Sequence, residues 1–516
     1  MVKQIKSTSF FTEHAVMILS AAITVIIALW GILSHETFGA AADMLMTGLQ
    51  EHFSWLYLGV MLLFVFFSLG LALSNWGQIR LGEDDERPEY STISWFAMLF
   101  GTGMGIGMVF WSVAEPLSHY IAPMAGITPG TPEAKAFAMR SCFMHWGLHP
   151  WACYAVMGLG LAYFQFRRKE SALASNLLKP LWGDTQSGKY TGTAVDVFTT
   201  VLTTTGVATS FGMGCLQISE GLNYLFGIPS NLITWTVIIV VICFIYLRSA
   251  ISGVSRGIKK LSDINLVFFV ILMVLAFAAG PMLDTLKLGL NGMADYLKYF
   301  LSDSLRMQSE GDSGWIQAWR VFYWAWWLSW APFVGIFIAR ISRGRTIREF
   351  IFGVMIIPTL VSILWFTVFG GLTLNVTDQF SSKQLAVMSA HPETALFHIF
   401  DKYPLGLLLS LIALMLLVTF FITSANSATF VLGMLTSHGE LDPPAGKKTF
   451  WGILIAVVAF ALILSGSIEM IQTISIVIAF PYLFILLLIC VSLVLALRKD
   501  KQKINRNDPI TKEEIP

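Results

Sequence analysis

The chain has 516 residues, of which 55% are hydrophobic and only 13% are charged, and its mean hydropathy is +0.69. No soluble domain of this size is so apolar, so the composition predicts an integral membrane protein. The formal net charge of +1 leaves no basic or acidic surplus that would indicate a nucleic-acid partner.

Apolar runs of 18 residues or more recur from end to end, and each is long enough to cross about 30 Å of hydrocarbon as a helix. We predict twelve spans, centred roughly on residues 24, 64, 104, 150, 205, 238, 271, 328, 360, 418, 459 and 484. An even number of spans places both termini on one face, and that face collects 25 of the 33 Lys and Arg residues. The positive-inside rule then predicts a multi-pass membrane protein with both termini in the cytoplasm.

Setting aside two peripheral spans leaves ten, which divide into two sets of five. An odd number of spans per set makes the two halves run in opposite directions, as in the inverted repeats of many secondary transporters. The predicted segments are an N-terminus at 1–13, two peripheral helices at 14–75, a first repeat at 93–282, an amphipathic helix region on the periplasmic surface at 283–316, a second repeat at 317–497 and a polar tail at 498–516.

The third span contains "FGTGMGIGMVFW", in which Gly101, Gly103, Gly105 and Gly107 occupy every second position. Each glycine destabilises a continuous helix by roughly 1 kcal/mol relative to alanine. We therefore predict an interrupted helix whose freed backbone can bind an ion or a substrate. The alternative is close packing of helices through small residues.

The fourth span contains the aromatic stretch "HWGLHPWACY" at 145–154. Trp151 and Tyr154 share a helical face, and we expect a kink at Pro150 to bring Trp146 toward them. His145 and His149 have the i, i+4 spacing of a metal pair. Since this span offers no third ligand, we predict structural hydrogen bonds and no metal other than sodium.

The eighth span, "FYWAWWLSWAPFVG", places Trp327 and Trp330 at a depth where interfacial anchors do not belong. Tyr323, Trp327 and Trp330 share one face, and Trp326 and Phe333 extend an adjacent stripe with Trp330. Plain helix packing is one explanation. The other is an aromatic box for a quaternary ammonium group, which ring faces bind with up to about 2 kcal/mol or more each when desolvated.

The tenth span ends in "FFITSANSATF", a dense set of neutral oxygens at membrane depth that includes Thr423 and Ser424. Such hydroxyls either bond back to carbonyls of their own helix or form a Na⁺ site.

With these stretches, together with "GMGIG", "AEPLSHY" and "IARISRGRTIREF", the chain resembles the betaine/choline/carnitine transporter family over nearly its whole length. The resemblance implies an all-α LeuT-like fold of ten core helices after two extra helices, a homotrimer in membrane lipid, and no cofactor apart from Na⁺ as coupling ion. It also implies that the substrate is a small quaternary ammonium compound. The implied substrate residues are Trp146, Trp151, Tyr154 and Trp327, with Trp326 and Trp330 beside the path and the exposed backbone of Met104 and Gly105 near the carboxylate.

The resemblance further implies a sodium site at Gly101, Met104, Phe420, Thr423 and Ser424. A second sodium site would use Thr203 and Phe333, but Val207 lacks the expected oxygen, so Thr205 or Thr209 would have to substitute. Carnitine exchangers of the family carry an arginine in the seventh span, which here has no Lys or Arg. Choline carriers tend to have an acidic residue where this chain has Gly107.

The resemblance therefore favours a symporter that takes up glycine betaine or a similar compatible solute with Na⁺, which would serve osmoprotection. A sodium-independent carnitine or betaine exchanger and a choline transporter are the alternatives within the family. A passive channel or a membrane enzyme is a further alternative. The deep titratable residues that an enzyme would need do not group in the sequence; they are Glu115, His145, His149 and Glu220.

Overall fold

The computed structural model describes residues 10–507 except 104, 184, 252–254, 308–313 and 465–467. Within this part of the chain the regular structure is helical, and the β-type pairing is one isolated bridge between Arg80 and Thr346. Nine of the helices in the described residues are long and apolar enough to cross a membrane. The prediction of an all-α, multi-pass membrane protein is thereby confirmed.

We number the α-helices in chain order. The first half contains α1 (Phe10–Leu33), α2 (His35–Leu73), α3 (Thr92–Gly103), α4 (Ile106–Ile121), α5 (Pro132–Trp146), α6 (Leu148–Ala162), α7 (Ala174–Leu177), α8 (Lys179–Trp182), α9 (Gln186–Phe226), α10 (Leu232–Ile251) and α11 (Ser255–Ala279). The second half contains α12 (Met282–Leu305), α13 (Phe322–Arg340), α14 (Ile347–Asn375), α15 (Ser382–Ala390), α16 (Pro392–Phe400), α17 (Gly406–Leu435), α18 (Ala445–Leu464) and α19 (Ile468–Asn507).

Two of the predicted spans are each divided into two shorter helices at a glycine. The predicted interruption of the third span is confirmed, since α3 ends at Gly103 and α4 begins at Ile106, after Gly105 in an extended conformation (φ −142°, ψ −158°). The fourth predicted span is divided at Gly147 into α5 and α6, each of 15 residues. The fifth predicted span is α9, a 41-residue helix with six threonines between residues 199 and 209.

Helix α12 lies within the predicted amphipathic segment. Its buried positions, such as Thr285, Gly289 and Gly292, recur at helical spacing, and α12 packs against α5 and α14. Its leucines other than Leu288 point the other way, and Leu283 and Leu290 are 73% and 71% exposed. Small residues therefore face the protein, and the apolar stripe faces away from the described chain.

Helix α13 is the most enclosed of the candidate spans, with all residues buried except Phe337 and Arg340. It packs closely against α6 because glycines meet at the crossing. A Cβ on Gly335 would lie 2.6 Å from Cγ of Met157, and one on Gly158 would lie 3.3 Å from the carbonyl oxygen of Gly335. This close approach brings the aromatic residues of the two helices together.

Candidate functional site

Four aromatic side chains that the sequence marked as a box lie in one buried cluster. The ring centroids of Trp146 and Trp327 are 4.9 Å apart, and those of Tyr154 and Trp327 are 6.3 Å apart, both pairs edge-to-face. Trp151 meets Tyr154 edge-to-face at 5.5 Å. The cluster combines residues of α5, α6 and α13, and its members are buried. Edge-to-face pairs are a favourable packing of aromatic rings, and a cluster of buried ring faces is the kind of surface that attracts a cationic ligand.

The bend that brings Trp146 to this cluster lies at Gly147, so the expected kink at Pro150 is wrong. Gly147 adopts φ −90° and ψ −131°, and a Cβ there would lie 2.3 Å from the carbonyl oxygen of Phe143. Pro150 is the third residue of α6, where its missing N–H removes no intrahelical hydrogen bond. The break is stabilised by Tyr296, whose hydroxyl oxygen accepts the amide of Leu148 at 3.1 Å.

The two deep tryptophans of α13 direct their indole N–H groups to backbone carbonyls. Trp327 Nε1 donates to the carbonyl oxygen of His145 at 2.9 Å, and Trp330 Nε1 donates to that of Gly206 at 3.0 Å. These bonds fix both indole planes at membrane depth, where an unpaired N–H would be costly. The Trp330 ring lies against Phe333, at 5.4 Å between centroids.

Trp326 connects this cluster to the interrupted helix. Its ring stacks on Trp327 at 4.8 Å and 16°. The edge of the indole touches the first turn of α4, since a Cβ built on Gly107 would lie 2.3 Å from Cη2 of Trp326. The glycine is therefore required by a close approach of backbone to a rigid ring.

We expect Gly107→Ala to lower transport at least about tenfold, because the added methyl group forces Trp326 off its stack with Trp327; overpacking of a rigid site destabilises it by about 1–3 kcal/mol. Initial uptake rates normalised to the amount of protein in the membrane measure the effect. Gly59→Ala is the matched control for backbone flexibility, since Gly59 also lies in a helix, α2, and no described atom would lie within 4 Å of its added methyl group. Equal loss in both variants would contradict the steric explanation.

The predicted sodium residues lie on two structural elements that face each other. Ser424 lies on α17 near the helix break, since a Cβ built on Gly105 would lie 3.7 Å from its Oγ. The Thr423 hydroxyl donates to the carbonyl oxygens of Thr419 and Phe420 at 3.0 and 3.1 Å. Gly101 belongs to α3, and Met104 lies outside the described residues.

The sequence interpretation missed Asn265, on α11. Its Nδ2 donates to Thr423 Oγ1 at 3.0 Å, and its buried Oδ1 has no hydrogen-bond partner among the described residues. The sequence does contain an indication of this residue, because its amide side chain stands within the apolar run "INLVFFVILMV". A polar group at membrane depth needs a partner. An unsatisfied carbonyl oxygen beside the Thr423 hydroxyl adds an oxygen of the kind that a hard cation prefers.

The hydroxyls of the implied second sodium site bond within their own helix. Thr203 donates to the carbonyl oxygen of Thr199 at 2.7 Å, and Thr205 to that of Val201 at 3.0 Å. Thr209 donates to the carbonyl oxygen of Thr205 at 3.0 Å. Phe333 instead lines a cavity of about 450 Å³ that also includes Arg340, Asn426, Ser427, Asp442 and Lys448.

His145 and His149 have separate partners. His149 Nε2 lies 3.0 Å from the Ser304 hydroxyl and stacks on Trp324, whereas His145 Nδ1 lies 2.7 Å from Glu115 Oε1. Glu115 and His145 were separate in the sequence, and the fold brings them together. His119 joins them in a group whose ligand atoms lie within 4.8 Å of one another. Both rings lie within hydrogen-bonding distance of the same carboxylate oxygen. His145 therefore has ligand-type neighbours that its own span lacks, and its structural role stays a prediction.

The chain is similar to known transporters along nearly its full length. A sequence model of the betaine/carnitine/choline transporter family matches residues 15–502. The glycine betaine transporter OpuD of Bacillus subtilis (strain 168) is 42% identical, over 96% of this chain and 96% of that protein. Glycine betaine transporter 1 of Vibrio parahaemolyticus is 38% identical, over 91% of each chain. The ectoine/hydroxyectoine transporter of Virgibacillus pantothenticus is also 38% identical, over 95% of this chain and 98% of that protein.

Proposed function

Because the chain belongs to the betaine/carnitine/choline family of transporters, and is a membrane transporter and not an enzyme, we propose that it takes up a trimethylammonium zwitterion such as glycine betaine together with Na⁺. The observation on which the proposal rests is the buried cluster of Trp146, Trp151, Tyr154 and Trp327. A trimethylammonium group has no N–H to donate, so ring faces are its natural partners.

The architecture that we propose for this activity has twelve spans, ten of which form the inverted repeat. The nine candidate spans of the described residues support it, together with α3–α4, α5–α6 and α9 at the positions of the other three predicted spans. The helix break at Gly105 lies where such a repeat needs exposed backbone. We further propose the bacterial inner membrane as the location, cytoplasmic termini and a homotrimer.

A zwitterion fits the site better than a bare cation. The substrate carboxylate needs donors, and exposed backbone amides around Gly105 supply them without a cationic side chain. An acidic residue at position 107, as in choline carriers, would repel that carboxylate, and Gly107 avoids the repulsion. Ectoine, which the Virgibacillus relative is named for, is also a compact zwitterion, so we include it as a competitor.

Sodium coupling is supported by the chemistry of the groups around Thr423. Hydroxyl and amide oxygens of Thr423, Ser424 and Asn265 suit a hard monovalent cation. The seventh span carries no Lys or Arg between 261 and 279, so the positive charge that replaces sodium in the carnitine exchangers is missing from this position.

The test is uptake of labelled glycine betaine into proteoliposomes, with and without an inward Na⁺ gradient. We expect accumulation against the substrate gradient that requires Na⁺. Unlabelled choline, carnitine and ectoine serve as competitors, and we expect glycine betaine to compete best. Accumulation without Na⁺ that depends on internal substrate would instead identify an exchanger, and failure to accumulate against a gradient would identify a channel.

A further inference from the structure

Glu115 is a fully buried carboxylate in the middle of α4, with four donors around it. His119 Nε2 and His145 Nδ1 lie 3.2 and 2.7 Å from its Oε1. Trp146 Nε1 donates to Oε2 at 2.7 Å, and the Tyr323 hydroxyl donates to the same oxygen. The donors come from three helices, α4, α5 and α13, so this one side chain joins all three.

Stability alone does not account for a carboxylate at this position. Burying an ionised group is costly even when its hydrogen bonds are satisfied, and well-packed apolar residues often stabilise such a position equally well. Ionisable groups inside a membrane span are accordingly rare, and they usually mark a functional site. Glu115 has no Lys or Arg partner among the described residues. Besides the neighbouring thiol of Cys142, its partners are two imidazoles and two aromatic side chains.

Two of those donors belong to the aromatic cluster or touch it directly. Trp146 is one of its four rings, and Tyr323 lies 5.7 Å from Trp146 and 5.8 Å from Trp327 between centroids. A third donor, His145, accepts the indole N–H of Trp327 at its backbone carbonyl. Glu115 is therefore linked to both Trp146 and Trp327, directly in the first case and through His145 in the second.

An anion that accepts a hydrogen bond from an indole N–H or a phenol O–H increases the electron density of the ring, since hydrogen-bonded groups polarise one another in a low dielectric. The attraction between a ring face and a cation depends on that negative charge. The carboxylate of Glu115 thus has two effects on Trp146: it orients the indole plane, and it makes the indole face more attractive to a cation.

We propose that Glu115 is a positioning residue of the substrate site, which orients the rings of Trp146 and Tyr323 and strengthens their attraction for a cationic ligand without touching it. This inference rests on the proposed function. It differs from a purely structural role in one measurable respect. A scaffold affects every ligand of the same shape equally, whereas polarisation of the rings favours the ligand that carries a positive charge.

The experiment compares two ligands of the same shape, glycine betaine and 3,3-dimethylbutanoate, in which an uncharged carbon replaces the quaternary nitrogen. Binding of labelled glycine betaine to purified full-length protein, with 3,3-dimethylbutanoate as competitor, gives both dissociation constants and their ratio. Glu115→Gln removes the charge and retains the shape. Because the indole of Trp146 can only donate, the glutamine carbonyl would face Trp146 and Tyr323, and its amide group would face the histidines.

We expect Glu115→Gln to weaken glycine betaine binding about fivefold and to leave 3,3-dimethylbutanoate binding nearly unchanged, so that the ratio falls about fivefold. Asp196→Asn is the matched control. Asp196 is also a buried carboxylate, but its oxygens accept from the Ser175 amide and hydroxyl, at 3.0 and 2.6 Å, and from no aromatic side chain among the described residues. Its substitution should leave the ratio unchanged.

An unchanged ratio in Glu115→Gln, whether both affinities fall together or neither falls, would overturn the inference. If this variant does not accumulate in the membrane, Tyr323→Phe provides the same test, because it retains the ring and removes only the O–H that donates to the carboxylate. Its ratio should also fall, and an unchanged value would count against the inference. If the wild-type protein bound neither ligand, the proposed function itself would be contradicted. This outcome differs from an unchanged ratio, which would contradict the inference alone.

Discussion

Replacing Trp327 with leucine is expected to weaken substrate binding about thirtyfold while protein remains in the membrane. The ring is buried in the cluster, edge-to-face with both Trp146 and Tyr154. Loss of one desolvated contact between a cation and a ring, about 2 kcal/mol, corresponds to that factor. The measurement is the dissociation constant of glycine betaine for the purified variant, with membrane protein levels determined in parallel.

The matched control is Trp324→Leu on the same helix. The Trp324 ring stacks on His149, at 4.8 Å and 20°, and lies outside the four-ring cluster. Its loss should reduce protein levels, because a large buried side chain is removed, while the folded fraction retains its affinity for substrate. If Trp327→Leu left the affinity unchanged, or if both substitutions weakened binding equally, the assignment of the cluster as the substrate site would be wrong.

Removing two hydroxyls in the double variant Thr423→Ala with Ser424→Ala should raise the Na⁺ concentration for half-maximal uptake at least about a hundredfold. A dehydrated Na⁺ must regain its oxygens from the protein, and each lost polar partner of a charged group is worth about 1.5–3 kcal/mol. A Na⁺ titration of uptake at saturating glycine betaine measures the shift. Binding of substrate without Na⁺ should change less.

The structure provides a control for the alternative that these hydroxyls only bond to carbonyls of their own helix. Thr419 lies one turn earlier on the same helix and donates to the carbonyl oxygen of Met415 at 2.8 Å, the same kind of bond that Thr423 makes. Thr419→Ala should leave the Na⁺ midpoint in place. A midpoint that stays unshifted in the double variant as well, with normal protein levels, would mean that the oxygens of Thr423 and Ser424 are structural.

The aromatic residues of α13 could be predicted from the sequence. The geometry that joins them to α5 and α6 could not. Periodicity and depth together were sufficient to single out Trp327. The bend beside Trp146 was assigned to Pro150 because proline is the usual cause of a kink, whereas the short contact at Gly147 depends on the path of the backbone and on Tyr296, far along the chain. A proline in the first turn of a helix has no bond to break.

Glu115 shows the limit of sequence reasoning more clearly. One of its donors is four residues away, but two lie 30 and 31 positions away and the fourth lies 208 positions away. The motif "AEPLSHY" made the residue visible, yet nothing local indicated which rings it touches. Asn265 is a similar case, since its partner Thr423 is 158 positions away. Contacts of this kind follow from tertiary packing and have no periodic signature.

The close approach of Gly107 to Trp326 also restricts how this transporter can change during evolution. An acidic residue at position 107, the feature associated with choline carriers, would place its Cβ 2.3 Å from the Trp326 indole. A single substitution therefore disrupts the existing site before it creates a new specificity. A lineage that moves from a zwitterion to a simple cation must first relocate the indole, by a change at 326 or in the residues that pack behind it. Positions 107 and 326, 219 residues apart in the chain, should consequently vary together, and the order of the two mutations should decide which intermediates survive selection.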